Sequence, residues 1–236
     1  MTDCEFLLAI QESFMRFIDS GTSRSNAKLK PLHGAIAQDL SVRLGAAYSI
    51  QSLGYGDERE ATISGRYMDK KTDITIFQEG RPLCGIAVKF VMQNYAQNSN
   101  NYFENMLGET ANLRAGSIPY FQVFVILDKM PYYRKDNTIS DWEEPTAHNI
   151  EKYILLDEDN PDIYLHTPDK LLFYPVHLPD PFEPIMDKTA YLEFYRTWLP
   201  MLGMQKSVKF PKSTSRVVLR DWETFAEKVY HTILAQ

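Results

Sequence analysis

Apolar residues recur at spacings of three and four at the start of the chain, where Phe6, Leu7, Ile10, Phe14 and Phe17 predict a helix over Asp3 to Ile18 behind a Thr2/Asp3 cap. A polar loop, GTSRSNAKLK, follows. Pro31 to Gly45 then reads as a second helix, with a proline near its start, a glycine after its end, and Ile36, Leu40 and Leu44 on one face. From Tyr48 the period changes. The short segments YSIQSLG, ATISGRYM, DITIF and CGIAVKFV are rich in β-branched and aromatic residues and predict strands, the last two joined by a hairpin turn at QEGR. The next stretch opens with Asn and Gln and settles into helical spacing at Phe103, Met106, Leu107, Ala111 and Leu113, closing at Gly116. IPYFQVFVILDK is almost continuously apolar, as a central strand covered on both faces should be.

Beyond Lys129 the chain is rich in Pro, Asp and aromatics, with little periodicity until DKTAYLEFYRTWL and DWETFAEKVYHTILAQ, both amphipathic helices. That region reads as an elaboration on a core at about 31–129, within one domain over 1–236. Composition agrees with a globular chain, 44% hydrophobic and 24% charged. No apolar run reaches transmembrane length, and the acidic N-terminus MTDCEFLLAIQES does not resemble a signal peptide, so a cytoplasmic protein is expected. Cys4 and Cys84 have no metal-ligand spacing, which fits a reducing compartment. The net charge of −6 hides an uneven distribution: Asp128 to Lys188 holds 14 acids and 6 bases, leaving 17 acids and 19 bases elsewhere. Gln205 to Arg220 carries five bases and no acid.

The chemistry lies in KTDITIFQEGRPLCGIAVKFVMQN, Lys71 to Asn94, where a lysine stands inside a buried strand. An ammonium there is costly unless it pairs with a carboxylate or reaches a cleft. Asp73, sixteen positions earlier on the adjacent strand, is the natural partner in an antiparallel register.

The order helix, hairpin bearing Asp73 and Lys89, helix, strand resembles the PD-(D/E)xK nuclease superfamily, especially the type II restriction endonucleases. The resemblance covers about Pro31 to Lys129 and continues through NNYFENMLGETANLR and YFQVFVIL. It implies an α/β fold: a restriction-endonuclease-like α/β/α core with a central mixed β-sheet flanked by helices, plus an elaborated C-terminal region. It also implies Mg2+-dependent, site-specific cleavage of double-stranded DNA by a homodimer, with no organic cofactor and no membrane partner. Two positions depart from the motif. Thr72 replaces its proline, and Ala87 stands where the family carries a carboxylate. Three readings of Ala87 are open: an inactivated variant that lost a glutamate, a second carboxylate supplied by Glu104 fifteen residues past Lys89, or a degenerate homologue that binds DNA without cutting. The resemblance implies a cation held by Asp73, Glu104 and the Val88 carbonyl, with Lys89 orienting the attacking water or stabilising the transition-state charge.

Candidates for reading DNA are the amides Gln93, Asn94, Asn98, Asn100 and Asn101 and the polar stripe of Asn105 and Asn112, with Arg114 beside it. Candidates for backbone contacts are Arg66, Lys70 and Lys71 near Asp73, the basic run of Lys206, Lys209, Lys212 and Arg216, and the loop of Arg24, Lys28 and Lys30. His33 reads as a residue that caps or flanks the second helix, and Gly54 and Gly56 are too weak a signal for a phosphate loop.

Overall fold

The computed structural model of the chain describes residues 1–22, 26–209 and 217–236. Arg24, Lys212 and Arg216 lie outside the described residues.

Helix α1 (Asp3–Ser20) starts at a reciprocal cap, in which Thr2 accepts from the Glu5 amide and the Glu5 carboxylate accepts from the Thr2 amide. It stops at Gly21, whose left-handed φ of 62° suits a residue without a side chain. A 3-10 turn (Asn26–Leu29) leads into α2 (Lys30–Leu44), with Pro31 in its first turn, where an amide N–H is not needed. Next come β1 (Tyr48–Ser52), β2 (Ala61–Ser64), β3 (Asp69–Thr72), β4 (Ile74–Gln78) and β5 (Arg81–Val91). The second half contributes α3 (Tyr95–Arg114), β6 (Tyr120–Leu127), β7 (Met130–Tyr133), β8 (Ile139–Glu143), α4 (Ala147–Glu158) and β9 (Lys170–His177). Helix α5 (Lys188–Leu202), β10 (Gln205–Lys206), β11 (Val217–Leu219) and α6 (Trp222–Leu234) complete the chain.

The strands form a central mixed sheet in the order β1-β4-β5-β6-β9-β10, with β11 also on β9. β4 runs antiparallel to its neighbours β1 and β5, while β5, β6 and β9 run parallel. The turn between β4 and β5 lies at Glu79 and Gly80, both with positive φ, the backbone that fits a two-residue hairpin to the twist of its strands. Register sorts the side chains onto two faces. Phe90, Val125 and Tyr174 are partners across β5, β6 and β9, and Phe90 meets Phe14 while Tyr174 meets Phe6, so this face carries α1. Phe121 meets Phe225 on the same side, adding α6. Lys89, Phe124 and Phe173 are partners facing the other way, where Phe124 meets Tyr102 of α3 and Tyr153 of α4. The result is a mixed α/β fold with the sheet between helices. Among the described residues, no helix is long and apolar enough to cross a membrane.

The segment after Lys129 contributes to the core and does not merely decorate it. β9 is fully flanked, and five of its side chains, Leu171, Leu172, Phe173, Tyr174 and Val176, belong to the main hydrophobic cluster. Pro175 in its middle argues against a central strand. The strand tolerates it because the Pro175 carbonyl accepts from Ser207 on the outer side, so the missing N–H also faces outward, between the stretches that pair with β11 and β10. The stretch that opens with Asn and Gln, whose helical spacing is read from Phe103, is helical from Tyr95. Its cap comes from far away: the Glu143 carboxylate on β8 accepts from the Tyr95 amide at 2.6 Å and the Ala96 amide at 3.3 Å.

Candidate active site

Asp73 sits at the junction of β3 and β4, immediately before the residue that pairs with Ile86. Its carbonyl accepts from the Ser52 hydroxyl at 2.9 Å, and its Oδ2 accepts from the Val88 amide at 2.7 Å, so backbone and side chain are both fixed. Lys89 extends from the next strand into the same cavity, of about 450 Å³, with its ammonium 4.7 Å from the centre of the Tyr102 ring. The strand end thus opens to a cavity, and that opening accommodates a lysine in an apolar run. Ala87 and Val88 also line it, as do Lys70, Lys71 and Lys28.

Burial pushes the Asp73 carboxyl up to about 6, helped by the charges of Glu60 and Glu109, while the Val88 amide and Lys70 pull it down. Burial lowers the Lys89 ammonium, and the Asp73 and Glu109 charges work against that. Lys28 is lowered by its own burial and by the nearby Lys89 charge. Since native Asp73 holds its proton more tightly than the ordinary carboxyl at 3.8, its ionisation costs stability in full above about pH 6 and nothing below about pH 4. Asp73→Asn should therefore stabilise the metal-free protein at pH 8 by on the order of 2 kcal/mol, a gain that fades toward pH 4. Urea midpoints measured in chelator across that range check this, and a destabilised variant at pH 8 would contradict it.

Helix α3 supplies the opposite wall through Asn98, Tyr102, Asn105, Met106 and Glu109, a stripe at spacings of three and four. The carboxylate on that stripe is Glu109, which pairs with Lys70 and accepts from the Tyr120 hydroxyl at 3.3 Å. Glu104 is exposed and lies outside the cavity lining, its charge acting on Lys152. The helix phase explains the difference, since a residue one position before Asn105 is turned about 100° away. For Val88, the contact present is its N–H to Asp73.

A second group, outside the cavity lining, meets Asp73. His33 of α2, Glu60 of the segment between β1 and β2, and Asp73 each bring a ligand atom to within 4.8 Å of the others. Glu60 Oε2 pairs with Lys71 at 2.8 Å. Burial pushes His33 down to about 4, which leaves it neutral at neutral pH. Sequence reasoning missed Glu60, which stands in the charged run YGDERE and looks like any solvated loop acid.

Several of the expected DNA-reading residues make contacts within the chain. Asn112 is buried, and its amide accepts from the Tyr67 and Met68 amides and donates to the Met68 carbonyl, clamping the β2–β3 turn. Gly65 allows that approach, because a Cβ there would lie 2.2 Å from the Asn112 side-chain nitrogen. Arg66 is exposed and its amide donates to the Asn112 carbonyl. Arg114 is engaged with the Tyr164 and Thr167 carbonyls and with Asp169, which joins α3 to the segment before β9. Lys206 pairs with Asp3, and Lys209 with Glu144 at 2.9 Å, both outside the cavity lining. Asn100 accepts from Lys152, and Asn101 is exposed outside the cavity lining. Of the amides, Gln93, Asn94, Asn98 and Asn105 line the cavity. No protein-family model, no curated protein and no solved structure matches the chain.

Proposed function

We propose that the chain is a metal-dependent endonuclease of double-stranded DNA with a restriction-endonuclease-like core, acting in the cytoplasm at a short specific site as a homodimer. One observation carries the reading: Asp73 and Lys89, on either side of the β4–β5 hairpin, line one cavity. The strand order supports it as well, with two antiparallel pairs, a helix along the crossover, and then a parallel strand, as the resemblance implies.

The donor set suits a cation. Two carboxylates, Asp73 and Glu60, lie together, and Glu60 Oε1 is buried without a hydrogen-bond partner. A divalent ion held by them supplies Lewis-acid polarisation of a phosphoryl oxygen and neutralises the charge developing there. Lys89 holds a positive charge at the cavity, where extra negative charge accumulates on the phosphorane. Lys28 adds positive charge to the same lining, and Lys70 and Lys71, paired there with Glu109 and Glu60, are offered to the DNA backbone, a contribution that salt weakens. Asn98 and Asn105 present amides to base edges or phosphates.

On this reading Glu60, from beyond the cavity lining, offers Asp73 the second carboxylate that position 87 lacks. Plasmid cleavage with added Mg2+ or Mn2+, against a chelator control, tests the function. On this reading the unsubstituted chain cuts, and Ala87→Glu changes the rate by less than about tenfold. Absence of cleavage with every divalent ion would overturn it. Ala87 at the cavity wall favours one other reading, a DNA-binding protein that does not cut. That reading gains if Ala87→Glu converts a silent, salt-sensitive binder into a nuclease.

A further inference from the structure

The backbone at the start of α2 touches the loop after β1 directly. A Cβ on Gly34 would stand 2.4 Å from the Gly54 carbonyl oxygen, and one on Gly54, whose φ is +76°, would stand 2.2 Å from the Lys30 carbonyl oxygen. Only glycines permit that approach. Lys30 fastens it by pairing with Glu58 at 2.7 Å. The seating brings His33, adjacent to Gly34, to Glu60, two residues past Glu58, with Asp73 completing the group.

His33 is 1% exposed, and neither ring nitrogen has a hydrogen-bond partner. Glu60 Oε1 is in the same condition. Buried polar atoms without partners are expensive, and two carboxylates so close repel each other. A cation at the centre of the three groups relieves both costs.

We propose that His33, Glu60 and Asp73 form a mixed nitrogen–oxygen site that takes a divalent transition cation, such as Mn2+ or Co2+, in preference to Mg2+. Mg2+ favours oxygen ligands and keeps much of its water, whereas an imidazole donor favours first-row transition ions. The inference deepens the reading of the Asp73 region as a cation site, on which it rests, and is independent of the DNA substrate. His33, which the sequence suggests as a helix-flanking residue, becomes a ligand.

The test is calorimetric titration of the full chain, stripped with chelator, with Mn2+ and separately with Mg2+, together with pulsed electron paramagnetic resonance of the Mn2+ form. Mn2+ is the weakest binder of the first-row series and makes the comparison a demanding one. Mn2+ should bind at least about tenfold tighter than Mg2+ and show coupling to a nitrogen-14 nucleus, and H33Q should lose that coupling and at least about tenfold in Mn2+ affinity. Should H33Q fail to fold, the spectrum of the unsubstituted chain and a matching affinity loss in E60Q decide the matter. Equal or tighter Mg2+ binding, or a Mn2+ spectrum without nitrogen coupling, overturns the proposal. Nitrogen-coupled Mn2+ without DNA cleavage leaves this site standing and removes the nuclease; cleavage without nitrogen coupling does the reverse.

Discussion

On the nuclease reading, Lys89→Ala should lower the rate of metal-dependent plasmid cleavage at least a hundredfold, about the loss seen when one donor aimed at developing charge is removed. The ammonium stands in a cavity walled by Asp73, Tyr102 and Glu109, with the Tyr102 ring beneath it. A fixed positive charge between the walls of a cavity acts through a lower dielectric than one on an open surface. Folding should survive the substitution, because the Lys89 side chain is exposed at the cavity, and truncating an exposed side chain usually shifts stability by no more than about 0.5 kcal/mol. The variant should therefore keep its urea midpoint while losing turnover. Single-turnover rates beside an equilibrium melt check this, and a loss of stability that accounts for the lost activity would contradict it.

The second large effect concerns the scaffold. Trp222→Ala should destabilise the protein by about 3–5 kcal/mol, the range for truncating a fully buried tryptophan. Trp222 is wholly buried and stacks on Phe6 with ring centres 4.6 Å apart, so it joins the first helix to the last. Its indole N–H donates to Asp39 at 2.9 Å, a carboxylate that also holds Arg43 at 2.9 Å and the N-terminal amine. Trp222→Phe keeps an aromatic ring beside Phe6 but loses the indole bond to Asp39 and the volume of the second ring, and should cost about 1–3 kcal/mol. A loss below about 1 kcal/mol for the alanine variant in urea titration would show that α1 and α6 do not depend on this contact.

How much of this was legible in the sequence follows from where each signal lies. Asp73 and Lys89 stood out because a charge inside an apolar strand needs an explanation, and the antiparallel hairpin that unites them is written in QEGR and the flanking apolar runs. Helices α1, α2 and α6 were plain from spacing and caps. β9 was hidden by Pro175, whose acceptability depends on strands contributed more than twenty residues later. β3, with the sequence DKKT, was hidden because a polar edge strand has no apolar pattern to read. The start of α3 was obscured because Glu143, its capping group, lies 48 residues away.

At the candidate site the division is similar. Glu109 and not Glu104 faces the cavity, a matter of helix phase settled only by how α3 packs on β6. Glu60 and His33 come together through the Gly34–Gly54 contact, and two isolated glycines give no hint of meeting. Asn112 and Arg114 carried the amide and guanidinium chemistry of DNA readers, yet the same chemistry satisfies backbone groups at the β2–β3 turn and before β9.

On the nuclease reading Asp73 and Lys89 act together, one through a cation and the other directly, on a single phosphodiester. A double-mutant cycle on single-turnover plasmid cleavage, using Asp73→Asn, Lys89→Ala and the two combined, measures that most directly. If they form one unit, the combined variant is no slower than the worse single variant, since either change alone disables the site. Losses that multiply, or single variants that cut at the unsubstituted rate, would contradict the account.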